Sequence, residues 1–131
     1  MNIKYLKHPY HIINLSFAGI FLLIFIYSGI FSAEKNNHPI PSACEKFTGE
    51  PCKSTGLSRS FSEIVRFNFQ RAQNYNQYGI KIFSFFLIEF LLRFIISFLI
   101  YKRSKQIKPI IFFDAVFSTT LYIYCFWGLI T

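Results

Sequence analysis

Residues 79–101 read GIKIFSFFLIEFLLRFIISFLIY, a run of 23 residues rich in Phe, Ile and Leu and interrupted by Lys81, Glu89 and Arg93. At a rise of 1.5 Å per residue a helix of this length covers about 34 Å, enough to cross a hydrocarbon core about 30 Å thick. A charge near the bilayer centre costs about 3 kcal/mol on insertion scales, so Glu89 and Arg93 require partners. Their i,i+4 spacing lets them pair on one face of the helix. Lys81 lies near one end of the run, where a long side chain can carry its charge to the interface.

Downstream, residues 110–131 form a second run of spanning length, 22 residues, with Asp114 about a turn inside and Tyr122, Tyr124 and Trp127 towards the far end, where aromatic residues suit an interface. The short link between the two runs carries Lys102, Arg103, Lys105 and Lys108 and no acid. Short basic links stay in the cytoplasm. Measured from that end with the helix rise, Arg93 lies about 12 Å deep and Asp114 about 7 Å, so a salt bridge between the two spans is within reach. Glu89, Arg93 and Asp114 are expected to act as a structural clamp between helices, with a proton or ion path as the alternative.

Upstream, residues 12–32 are 21 almost uncharged residues that follow Lys4 and Lys7. A cleaved signal peptide shares this layout. The apolar run is longer than a signal core, and cleavage after Ala33 would place bulky Phe31 where a small residue is wanted, so a retained span is expected. The fold class that follows is an all-α membrane protein with three transmembrane helices, at about 12–32, 79–101 and 110–131, in one membrane domain. The N-terminus is expected in the cytoplasm, and the loop at 33–60 and the C-terminus in the periplasm of a bacterial inner membrane.

Composition agrees: 53% of the 131 residues are hydrophobic, with 18 Phe and 8 Tyr, more than a small water-soluble core needs. The net charge of +8 comes from basic residues placed mainly beside the apolar runs, which is the pattern of topology determinants, and no nucleic-acid partner is expected. The expected partners are the lipid bilayer and either a membrane protein or further copies of the chain.

The loop at 33–60 is polar, and Asn36, Asn37, Pro39, Pro41, Gly49 and Pro51 are expected to break any regular element in it. Cys44 and Cys52 are too far apart for a redox Cys-x-x-Cys and lack the further ligands of a zinc site. In an oxidising compartment a disulfide is the expectation. Thr55, Gly56, Leu57, Ser58, Arg59 and Ser60 form a small-residue turn before a helix start, a geometry that can offer amides to an anion or contact a partner, with Arg59 completing such a site. The alternative has Gly56 making a tight turn and Arg59 bonding loop carbonyls or lipid phosphate.

Ser60 and Glu63 have the spacing of a capping box, predicting one helix over 61–75. Phe61, Ile64, Val65, Phe69, Ala72 and Tyr75 gather on one side of it, and Glu63, Arg66, Gln70, Gln73 and Asn74 on the other. Such a short amphipathic helix is interfacial or re-entrant, or packs on the spans. His8, His11 and His38 make no metal set, Glu45 and Glu50 read as solvated surface, and no nucleophile triad or phosphate-binding loop is present; no metal, cofactor or catalytic residue is assigned.

Residues 44–79 resemble the signature of the domain-of-unknown-function family 2752, small bacterial integral membrane proteins. Cys44, Thr48, Gly49, Pro51, Cys52, Gly56, Leu57, Arg59, Phe61, Ala72 and Asn76 stand where that signature puts them. Lys53 replaces its Pro, Thr55 its third cysteine, Ser58 its Thr, and Gln77 a later Pro. The resemblance implies a small membrane protein with flanking spans and brings no activity with it.

A chain this small has little interior for a private active site, so the first expectation is a non-catalytic accessory or binding subunit of a larger membrane complex, contacting it or lipid headgroups through residues 55–71. A small oligomeric transporter or channel using Glu89, Arg93 and Asp114 is the second reading. An outer-leaflet enzyme acting on a lipid-linked substrate, with Arg59 holding phosphate, is the third.

Overall fold

The computed structural model describes residues 8–34 and 43–131. Lys4, Lys7 and His38, as well as Asn36, Asn37, Pro39 and Pro41, lie outside them. The described chain is all-helical: α1 (Pro9–Ile30), α2 (Ala43–Thr48), α3 (Leu57–Val65), α4 (Phe69–Tyr75), α5 (Gly79–Lys102), a 3-10 turn (Ser104–Gln106) and α6 (Ile107–Ile130). α1, α5 and α6 have 22, 24 and 24 residues and are long and apolar enough to cross a membrane.

The spans begin and end slightly away from the expected limits because hydropathy marks where apolar residues start, whereas caps mark where a helix starts. α1 begins at Pro9, three residues before the apolar run, with His8 Nδ1 accepting from the Tyr10 amide at 3.3 Å. Proline suits a first helical turn because the amide it lacks would have no partner there. α6 likewise takes Pro109 into its first turn, so the link between the last two spans is shorter than expected.

α1 buries Asn14, Ala18, Phe21 and Ser28 at heptad-like spacing; Asn14 and Phe21 meet α5, and Phe25 sets its ring on Phe83 and Phe90 at 5.3 and 5.5 Å. α5 buries Ile82, Glu89, Arg93, Ile96 and Ile100, and α6 turns Asp114 and Cys125 towards it. α5 is thus the central helix, and α1 and α6 pack on it while barely touching each other. Leu15, Leu23, Phe98, Phe112 and Tyr124 are among the many large apolar residues left on the outside, the surface a lipid environment requires.

The predicted helix over 61–75 is two helices. Its start is corrected first: Gly56, at φ 79°, is the N-cap, α3 starts at Leu57, and Ser60 lies inside the first turn and a half, so the Ser60–Glu63 capping box does not form. Its middle is corrected next. Phe67 adopts φ 63°, its amide donates to the Ile64 carbonyl at 2.9 Å, and the Asn68 amide donates to the Glu63 carbonyl at 2.9 Å. This paired closure is a Schellman ending, and it turns the chain into α4.

Between the interfacial and packed alternatives, α3 is packed: Ser60, Phe61, Ser62, Glu63 and Ile64 are all buried. Phe61 meets Phe83 and Phe86 edge-on at 5.2 and 5.8 Å. Those rings lie four and seven residues past the start of α5, about 6 and 10 Å along it, so α3 is wedged into that end of the bundle. The loop also holds a regular element, α2, where the proline and glycine content argued against one.

Candidate functional site

Two groups of polar side chains stand out, one between the long helices and one in the cap formed by α2, α3 and α4. The first is centred on Arg93. Its Nη1 donates to Asp114 Oδ2 at 2.9 Å and its Nη2 to Asp114 Oδ1 at 2.6 Å, to Glu89 Oε2 at 2.9 Å and to Ser118 Oγ at 3.1 Å. Glu89, Arg93 and Asp114 are therefore brought together as their spacing suggested. The start of α6 at Ile107 sets Asp114 about 10 Å inside that helix, close to the depth of Arg93, which is why both carboxylate oxygens are within reach.

Four participants, Tyr10, Asn14, Ser97 and Ser118, were not assigned from the sequence. The Tyr10 hydroxyl donates to Asp114 Oδ2, tying the start of α1 to α6. Asn14 Nδ2 donates to the Arg93 carbonyl at 2.6 Å and to Ser97 Oγ at 2.5 Å. Ser118, one turn after Asp114, lies between the two carboxylates at 3.2 Å from Glu89 Oε2 and 3.3 Å from Asp114 Oδ1. A signal did exist for Asn14, the one amide in an otherwise apolar stripe.

The network is incomplete. Glu89 Oε1, Arg93 Nε and Asn14 Oδ1 are buried and carry no hydrogen bond among the described residues. Glu89 and Arg93 line a groove of about 380 Å³ between α1 and α6, whose walls include Phe17, Phe21, Phe85 and Tyr122. Lys81 stays near its end of α5 with Nζ 4.2 Å above the ring of Tyr124.

In the cap, Cys44 and Cys52 form a disulfide with Cα atoms 6.3 Å apart. Thr55 Oγ1 accepts from the Cys52 amide at 2.8 Å, and Asn76 Nδ2 donates to the carbonyls of Lys53 and Thr55 at 2.8 and 3.0 Å. Gly56 is pressed against the Tyr75 carbonyl, where a Cβ would stand 2.5 Å from the oxygen. Only glycine suits both that approach and the positive φ. Gly79 approaches Ser60 so closely that a Cβ there would overlap the Ser60 hydroxyl.

Of the six residues singled out in the turn, Thr55 and Gly56 are half-buried and held by Cys52, Asn76 and Tyr75, and Ser60 is fully buried. Arg59 is half-buried with its guanidinium 6.0 Å from the centre of the Tyr75 ring. Leu57 packs at the edge of the Phe61, Ile64, Ala72 and Ile82 cluster, and Ser58 is exposed.

Arg66 does what the sequence left unassigned: Nη2 donates to the Gly29 carbonyl at 3.1 Å and Nη1 to the Ser28 carbonyl at 3.4 Å, covering the end of α1. A cation at a helix C-terminus meets both the unpaired carbonyls and the negative end of the helix dipole. Arg71 reaches Glu63 only at 3.9 Å and is largely exposed. Phe67 and Phe47 are 81% and 87% exposed, and Phe69 is half exposed.

No three His, Cys, Asp or Glu side chains among the described residues are grouped as a metal site would require. Comparison with protein-family models, with curated proteins and with solved structures finds nothing that matches this chain.

Proposed function

We propose that the chain is a non-catalytic accessory or binding subunit of a larger membrane complex, and that its partner contacts the cap at Phe67, Phe69 and Arg71. The observation that carries this reading is Phe67. A phenylalanine held at φ 63° occupies a position that glycine fills without strain, and its ring is 81% exposed. Buried contacts give no reason for an aromatic residue there. An exposed aromatic pair beside an arginine, on a cap tied down by Cys44–Cys52, Asn76 and Arg66, has the composition of a protein-contact patch.

The proposed setting is a bacterial inner membrane with the N-terminus and the basic link on the cytoplasmic side and the cap outside, which the positive charge of Lys102, Arg103, Lys105 and Lys108 supports. The resemblance of residues 44–79 to family 2752 supports the same setting. Relative to the expectation from sequence, the proposed contact surface narrows from residues 55–71 to residues 67–71, because Thr55, Gly56 and Arg59 are held against Asn76 and Tyr75.

The test is gentle detergent extraction at native expression, comparing wild type with Phe67→Gly, a variant that removes the ring and relieves the backbone. A stoichiometric membrane protein that accompanies wild type and is lost from the variant is expected. A single species in both preparations, or a partner equally retained, would sink the reading.

A further inference from the structure

We infer that the groove between α1 and α6 is a binding site for an amphiphilic organic cation, with its ammonium group at Glu89 and its apolar tail along Phe17, Phe21, Phe85 and Tyr122. The inference does not depend on the cap or its partner.

The shape comes from the packing. α1 and α6 each lie on α5 and leave a slot of about 380 Å³ between them, with Glu89 and Arg93 of α5 at its base. At one end the Tyr10 hydroxyl bonded to Asp114 joins the two walls. Apart from Ser118 and Thr119, the rest of the slot is apolar and aromatic and lies among helices that present apolar residues on their outer faces. A ligand of matching chemistry carries a hydrocarbon portion and reaches the slot through lipid.

The charge comes from the count of groups. Two carboxyl groups, Glu89 and Asp114, share one guanidinium, and both terminal nitrogens of Arg93 are already occupied by them. Asp114 receives both of its oxygens' bonds from Arg93 and Tyr10. Glu89 does not: Oε2 is bonded, whereas Oε1 is buried without a hydrogen bond among the described residues, on a side chain only 5% exposed. Glu89 lines the slot, and an acceptor left unpaired on this carboxylate beside a second carboxyl group calls for a cation. An anion would meet two carboxyl groups and no free guanidinium nitrogen other than the buried Nε.

The test uses the full chain in an uncharged maltoside detergent, immobilised for scintillation proximity with radiolabelled octyltrimethylammonium as probe, and 2,2-dimethyldecane, its uncharged isostere, as competitor. Saturable binding of one probe per chain is expected, not displaced by the isostere and weakened at least tenfold by Glu89→Gln, which keeps an oxygen for Arg93. Phe17→Ala, on the exposed wall of the slot, should weaken binding without altering any charge, and it serves the same purpose if Glu89→Gln does not fold. Uptake that never saturates, displacement by the isostere, or unchanged affinity in a folded Glu89→Gln or Phe17→Ala variant would overturn the proposal. So would carbodiimide cross-linking of Glu89 to a lysine of a co-purifying protein without saturable probe binding, because the slot would then hold a basic residue of a partner helix.

Discussion

Arg93 grips Asp114 through both terminal nitrogens, at 2.9 and 2.6 Å, across the boundary between α5 and α6. The pair is buried, with Glu89 and Ser118 on the same guanidinium, so its removal exposes no group to water and leaves two carboxyl groups facing each other. Arg93→Met should lower the stability of the folded chain by about 3–5 kcal/mol, the usual cost of breaking a buried pair from one side. Combining it with Glu89→Gln and Asp114→Asn should recover much of that loss, since buried ion clusters are often no better than neutral replacements. Thermal unfolding in detergent of the single and triple variants measures both; a triple variant no better than Arg93→Met would refute the clamp.

Phe67→Gly should stabilise the protein by about 1 kcal/mol, because glycine reaches the left-handed region without the steric penalty of a side chain. The exposed ring gives little back on removal. A gain in melting temperature together with loss of the partner would separate the residue's contribution to binding from its cost to folding. Destabilisation by this substitution would mean that the ring is packed in a way the fold does not account for.

Gly79→Ala should destabilise the junction of α3 and α5 by about 1–3 kcal/mol through overpacking, since the new methyl group would overlap Ser60. Ser60→Gly removes the opposing atoms. The double variant should therefore be more stable than Gly79→Ala alone, a compensation that unfolding measurements on the four proteins of the cycle would reveal.

Asn76→Ala removes the donor to both Lys53 and Thr55 and the acceptor for the Tyr78 amide at 2.8 Å. A loss of about 1–2 kcal/mol is expected from leaving those part-buried backbone groups without their partner. Reducing Cys44–Cys52 should cost about 2 kcal/mol by releasing a short loop. The two effects should add incompletely, because Asn76 and the disulfide hold the same turn; limited proteolysis of the cap in each variant, with and without reductant, tests this.

The three spans were legible because length and apolar content leave few other structures for residues 79–101, and Glu89, Arg93 and Asp114 because a charge in such a run demands a partner. Tyr10 and Ser118 were not, since a hydroxyl near a helix end or one turn from an acid is common and becomes informative only when a second helix is placed beside it. In the cap, Ser60 and Glu63 imitate a helix start, but Gly56 in the left-handed region had already begun the helix one turn earlier. Phe67 concealed the opposite end. A Schellman ending is recognised by its glycine, and here the glycine is a phenylalanine.

The dependence of α5 on α6 also bears on how the chain enters its membrane. α1 contains no Asp, Glu, Lys or Arg and can be released into lipid by itself, but α5 carries Glu89 and Arg93 at depths where neither reaches water, and the matching Asp114 belongs to the helix made afterwards. The turn at Ser104–Gln106 is short enough for the two helices to leave the insertion machinery as a hairpin with the ion cluster already closed. Insertion of the last two spans as one unit is then the expected order, with Asp114 completing the neutralisation that the Glu89–Arg93 pair begins within α5.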